Sequence, residues 1–264
     1  MVICWATSND KERFLNVQQC LGLARSLIIY GAPWRQPRLR RFYRPFVTPG
    51  DVVFDIGAHL GDRSLAFAAL GARVVAVEPQ PDLQTMLRWR LRRYPDAKVI
   101  TDAIGAAPGS AKLALSDRNP TLATLDKHWR EHIGQANAAF ADVHWEREIP
   151  VNVVTLEALI KRYGRPVFCK IDVEGAEGAV LAGLHQPLPA LSFEYVSGSQ
   201  ARALDCIDQL MALGSYRFNV TIGERRAFVA AQAQSVSWVR AWLKDNAQAA
   251  GSGDVYAYQS AAGA

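Results

Sequence analysis

The stretch DVVFDIGAHLGDRSLAFAALGARVVAVEPQP, Asp51 to Pro81, decides the fold. Val52-Val53-Phe54 is a β-branched and aromatic run, suited to a strand covered on both faces. It ends at Asp55 and leads into Gly57-Ala58-His59-Leu60-Gly61, where the glycines allow a sharp turn and a close approach to a ligand. A helix is expected from Asp62 through Leu70, with Gly71 as its stop. Arg73–Val77 reads as a second strand and ends in Glu78-Pro79. Strand, glycine turn, helix, strand and acid make a βαβ unit of the nucleoside-binding kind. Its helix N-terminus offers unpaired N–H groups to an anionic group.

Glu78 follows Asp55 by 23 positions, at a strand tip where an acid can accept hydrogen bonds from both hydroxyls of a ribose. The glycine pattern is D-x-G-x-x-x-G, not the G-x-G-x-x-G of dinucleotide sites. Asp55 would repel a pyrophosphate and suits an ammonium group. S-adenosylmethionine, with ribose, adenine, carboxylate and ammonium, therefore matches better than NAD.

The 264 residues suit one large α/β domain with embellishments; half are hydrophobic and a fifth charged, as in an ordinary globular chain. No apolar run approaches the ~20 residues that span a bilayer. The opening MVICWATSNDKERF lacks the pattern of a signal peptide, so a cytoplasmic location is expected. Cys4, Cys20, Cys169 and Cys206 are scattered and read as reduced thiols. The net charge of +5 comes largely from Arg35, Arg38, Arg40, Arg41 and Arg44, and from Arg88, Arg90, Arg92 and Arg93. The second group falls on the solvated face of a helix Asp82–Arg93 that buries Leu83, Met86, Leu87 and Leu91. The first interleaves with Trp34, Phe42, Tyr43 and Phe46 and reads as surface charge or as a binding surface for a phosphate or acidic sugar.

Residues 1–50 read as an N-terminal helical cap, Asn16–Tyr30 and Arg38–Phe46, and 51–264 as the main domain. The cap either closes over a cofactor pocket or packs on the sheet. A third strand, Lys98–Thr101, leads to Asp102-Ala103; Asp102 either accepts from an adenine amino group or caps a turn. Ala111–Ser116 and Glu148–Val154 are strands able to pair beside the site. Between them lies the insertion 117–147, with Trp129, His128, His132, His144 and Trp145, read as a substrate-facing lid. His128 and His132 lack an acidic third ligand and make no convincing metal site. Thr155 caps a helix Leu156–Tyr163, and Val167–Ile171 is a fourth core strand running into Asp172-Val173-Glu174. Further strands are expected at Leu191–Tyr195, Tyr216–Thr221 and, as an edge, Asp254–Gln259, with helices at Ala201–Leu213 and Ser235–Asn246.

FDIGAHLGDRS, AVEPQP, VTLE, FCKIDVEGAEGAVLAGL and LSFEY occur here in the order and spacing of the FkbM-type methyltransferases, which the chain resembles from about Asp51 to Tyr195. The resemblance implies a Rossmann-like class I methyltransferase fold: a seven-stranded, mostly parallel sheet with helices on both faces. It implies that Asp55, Gly57, His59 and Gly61 hold the methionine part of S-adenosylmethionine, that Glu78 binds ribose, and that Asp102 with Ala103 faces adenine. His59 stands where relatives often have Asn. Relatives methylate hydroxyls of sugars, lipid-linked glycans and natural products, so O-methylation of a small-molecule or glycan acceptor is implied.

Methyl transfer from a sulfonium needs an acceptor oxygen held in line about 3 Å from carbon, and a base for its proton. Asp172 is the first candidate, with Glu194 or Glu174 as partner and His144 as an outside choice; alternatively Asp172 orients the cofactor or caps the next helix. Adjacent strand-tip acids could also bind a divalent cation, and metal dependence stays open. Two other readings are a nucleic-acid methyltransferase, disfavoured because IDVE replaces the aromatic NPPY type of motif, and a non-catalytic cofactor-binding subunit. Nucleic acid is thus not the expected partner, no membrane span is expected, and a homodimer is allowed.

Overall fold

The computed structural model describes residues 17–32 and 34–260. Cys4, the opening segment and Pro33 lie outside them. In chain order the elements are α1 Val17–Tyr30, α2 Arg35–Tyr43, β1 Val52–Ile56, α3 Asp62–Ala69, β2 Arg73–Val77, α4 Pro81–Leu91, β3 Lys98–Ile100, β4 Ala103–Ile104 and β5 Gly109–Leu115. There follow α5 Lys127–Ala136, β6 Arg147–Val154, α6 Leu156–Tyr163, β7 Phe168–Ile171, α7 Glu177–Ala182, β8 Ala190–Val196, α8 Gln200–Leu213, β9 Tyr216–Val220, α9 Val236–Ala250 and β10 Ser252–Gln259.

Seven strands form the sheet β3-β2-β1-β7-β8-β10-β9. The first five are parallel, and β10 runs antiparallel to both neighbours. Successive side chains alternate between its faces. Val53, Val74, Ala76 and Phe168 pack on one side with Leu39 and Tyr43 of α2, Phe67 of α3 and Leu87 of α4. Phe54, Val75, Val77, Cys169 and Ile171 pack on the other with residues of α6, α7, α8 and α9. Both faces are covered, as apolar runs without polar alternation require. Local signals hold at several ends: Thr155 Oγ1 accepts from Ala158 N at 3.1 Å, and Gly71 and Gly164 take positive φ where α3 and α6 stop.

Two features depart from the expected layout. Asp254–Gln259 is no edge strand: β10 lies between β8 and β9, hydrogen-bonded on both sides, and β9 is the edge. Ala103–Ile104 forms a further short strand, joining β5 and β6 in a separate three-stranded sheet. The insertion 117–147, expected as a substrate-facing lid, is built around α5. Trp129 is buried there between Phe140 and Trp145, ring centroids 5.5 and 6.1 Å away. Among the described residues, no helix is long and apolar enough to cross a membrane.

Phe168 is fully buried at the centre of an aromatic group made with Tyr43, Phe46, Phe67 and Tyr256. Phe168→Ala is expected to lower unfolding free energy by about 3–5 kcal/mol, read by chemical denaturation. A loss under about 1 kcal/mol would mean that this group does not carry the core.

Candidate active site

A cavity of about 440 Å³ opens where β1, β2, β7 and β8 end. Ligands of open α/β sheets bind at such carboxyl ends. Gly57 to His59 form its floor after β1, and Glu78 to Gln80 one wall after β2. Gly57 has φ +80, and a Cβ there would lie 1.7 Å from the Asp172 carbonyl oxygen. The turn after β1 therefore rests directly on the tip of β7, and only glycine fits.

Glu78 is clamped by the backbone. His59 N donates to Glu78 Oε2 at 2.8 Å, and Gln80 N donates to Oε1 at 2.9 Å. Burial pushes the Glu78 pKa up to about 7, against the pull of those two bonds. Burial pushes His59 down to about 4, so its ring is neutral at pH 7. His59 Nε2 is buried without a partner, and the Tyr30 ring stands edge-on to it at 5.4 Å.

Lys170 is 1% exposed in the middle of β7, and its Nζ donates to Asp172 Oδ2 at 2.7 Å. Burial alone would raise the Asp172 pKa; the Lys170 and Arg63 charges outweigh it and hold that carboxyl below its usual value. Glu174 and Glu194 are pushed the other way, first by burial and then by neighbouring carboxylates. Glu194 Oε2 is buried and has no hydrogen-bond partner. The carboxylate oxygens of Asp172, Glu174 and Glu194 lie within 4.8 Å of one another, close enough to share a proton or a divalent cation.

A second ionic group roofs the cavity. Arg35 bridges Asp62 (3.0 Å) and Glu224 (2.8 Å), and Arg63 bridges the same two acids at 3.2 Å each. Arg226 also pairs with Glu224. Burial would raise Glu224, and the arginines hold it far below the usual carboxylate range. The N-terminal helices do reach the pocket, since Tyr30 lines it and Arg35 lies 5.2 Å over the Tyr30 ring.

Several expected site residues fall elsewhere. Asp55 is fully buried and does not line the cavity; its Oδ2 accepts from Ser64 Oγ at 2.5 Å. It shares the pleat parity of Val53, so its carboxylate points toward α3 and not along the strand into the pocket. Gly61 caps α3 with φ +74 and faces Leu87, outside the lining. Asp102 accepts from Asn152 at 2.9 Å and is turned away, while Ala103 lines the cavity. His144 is exposed and outside the lining, and His128 stacks on His132 at 4.2 Å on the surface. Gly57, His59, Glu78, Ala103, Asp172 and Glu194 do converge.

Sequence reasoning missed Tyr30, Arg63, Lys170, Glu224 and Asp254, all of which line the cavity. For Lys170 a signal existed: a charge inside the apolar run Val167–Ile171 needs a buried partner. Glu224 and Asp254 carried none. The insertion lines the cavity through Thr121, Leu122 and Phe140, and it grips the β7 loop, with Thr124 Oγ1 donating to Glu174 O at 2.6 Å. Seven carboxylates and two cations, Arg63 and Lys170, line the space, which favours a cationic ligand.

The chain matches the Methyltransferase FkbM domain family over residues 55–247. A 53-residue segment is 43% identical to the ribosomal RNA small subunit methyltransferase A of Thermotoga petrophila, covering about a fifth of each chain, 20%. Among solved structures it is similar to the precorrin-6y C5,15-methyltransferase of Geobacter metallireducens (10% identity, TM-score 0.45, 85% of this chain and 87% of that one). The TehB-like SAM-dependent methyltransferase of Corynebacterium glutamicum shows 10% identity and TM-score 0.45 over 90% of this chain and 95% of that one. The O-methyltransferase of Bacillus cereus shows 12% and 0.44 over 90% of each. With a seven-stranded Rossmann-like sheet and a match spanning most of its length, this chain belongs to the FkbM methyltransferase domain family and is an S-adenosylmethionine-dependent methyltransferase.

Proposed function

We propose that the enzyme methylates a hydroxyl oxygen of a small-molecule or glycan acceptor, with Glu194 as the general base. The observation that carries this is the split between neighbouring carboxyls: Asp172 held ionised beside Lys170, Glu174 and Glu194 raised by burial. Such pairs mark acid–base assignments. Asp172 is locked in an ion pair and is the weaker base. Glu194 combines a raised pKa with an unpartnered oxygen, so it takes a hydroxyl proton more readily.

S-adenosylmethionine supplies a methyl on a positively charged sulfur. Glu78 would hold the ribose hydroxyls, and Ala103, Ile104 and Leu122 would give adenine an apolar slot. His59, neutral and buried, would lie against the methionine part. The acid-lined space favours the sulfonium, whose positive charge would act against the burial that raises Glu194. Bound S-adenosylmethionine would supply its methyl to the acceptor oxygen with the thioether as leaving group, and Glu194 would receive the hydroxyl proton. Asp172, fixed by Lys170, orients the acceptor or the cofactor beside it.

RNA as acceptor is the second reading, motivated by the short similarity to the ribosomal RNA enzyme. Seven carboxylates around the cavity would repel a phosphate backbone, so it ranks behind.

Glu78→Ala is expected to weaken S-adenosylhomocysteine binding by about 1–3 kcal/mol in calorimetry; unchanged affinity would remove its role. Glu194→Gln is expected to lower kcat by about 100-fold or more while product affinity is kept. The base must be deprotonated, so activity falls as pH falls. The acid limb should lie above the ordinary carboxylate value of 4.5 and vanish in Glu194→Gln. A variant with wild-type kcat and pH profile would exclude Glu194 as the base.

A further inference from the structure

Helix α1 is inverted relative to an ordinary surface helix. It buries Gln19, Gly22 and Ser26 and exposes Val17 (75%), Leu21 (65%) and Ile28 (75%). At 100° per residue Val17, Leu21, Ala24 and Ile28 share an arc of about 60°, opposite the buried residues. The inward face is held tightly: a Cβ on Gly22 would lie 2.5 Å from the Asp117 carbonyl oxygen, and Gln19 donates to Asp117. Turning the helix to hide its stripe would break that contact. Ile29 and Trp34 extend the exposed apolar surface toward α2, at 41% and 71%.

The segment that carries this stripe is purely cationic. From Val17 to Gly50 there are six arginines and no aspartate or glutamate. Arg38 and Arg41 on α2 and Arg44 just after it are exposed, at successive steps of three residues. We infer that residues 17–44 form a docking surface for an anionic lipid bilayer. The α1 stripe enters the headgroup boundary, Trp34 sits at the interface, and the exposed Arg38, Arg41 and Arg44 pair with lipid phosphates.

Charge decides against the other occupants. A symmetric dimer through α1 would bring two cationic segments together with no acid on either to pair them. A nucleic acid would satisfy the arginines and leave the apolar stripe in water. A bilayer with acidic headgroups satisfies both. Docking also has a consequence for the active site, because α1 ends in Tyr30, which lines the cavity. The surface would present the pocket to hydroxyls of lipid-borne acceptors. That last step rests on the O-methylation proposed above; the docking itself does not.

The test is sedimentation of the full chain with phosphatidylglycerol–phosphatidylcholine vesicles and with phosphatidylcholine alone, without substrate, so that a failed activity assignment cannot affect it. Binding is expected to the anionic vesicles and to fall steeply with salt. Leu21→Glu/Ile28→Glu is expected to reduce it by about tenfold or more, and Arg38→Gln/Arg41→Gln by about tenfold. Both pairs are exposed, so melting temperature and S-adenosylhomocysteine affinity should not change. Absence of binding to anionic vesicles would overturn the inference. So would a solution dimer of the wild type that Leu21→Glu/Ile28→Glu dissociates.

Discussion

The site depends on one buried cation. Lys170 sits in the central strand of a sheet whose two faces are closed, where an isolated ammonium would be strongly disfavoured. Asp172 satisfies it at 2.7 Å, and Asp55 lies opposite in the register of β1. In return the ammonium keeps Asp172 ionised at the strand tip. Without it Asp172 would lose the ammonium that pairs with it and face the raised carboxyls of Glu174 and Glu194.

That crowding gives the pocket its chemistry. Burial and mutual repulsion raise Glu174 and Glu194, while Lys170 and Arg63 keep Asp172 low. The pKa values of groups of one chemical type are thus pushed in opposite directions within a few ångströms, because each has a different set of neighbours. The same surplus of negative charge selects for a positively charged cofactor. The backbone helps: Gly57 brings the β1 turn against Asp172, and two N–H groups hold Glu78 in place.

The N-terminal region has two sides with different tasks. Inward, Arg35 and Tyr30 join α1 and α2 to the pocket through Asp62, Glu224 and His59. Outward, α1 shows apolar residues and α2 arginines, an arrangement that intramolecular packing does not account for. Arg38, Arg41 and Arg44 are exposed, whereas the charged residues lining the cavity are mainly acids.

The βαβ unit from Asp51 to Pro81 was legible without coordinates, because glycine turns, helix stops and buried strands are short-range chemistry. Gly57, Glu78 and Asp172 could be assigned to strand ends for the same reason. Asp55 could not, since its role hinges on which helix covers its face of the pleat, and Ser64 of α3 is what claims it. Asp102 was drawn off by Asn152, fifty residues away, and His144 was left in solvent. Glu224 and Asp254 reached the pocket only because β10 inserts between β8 and β9. The sequence by itself thus determined the nucleoside-binding frame; tertiary structure decided which charges meet and which carboxyl is pushed up and which down. Backbone conformation answers to near neighbours along the chain, whereas a buried charge answers to whatever distant segment is folded against it.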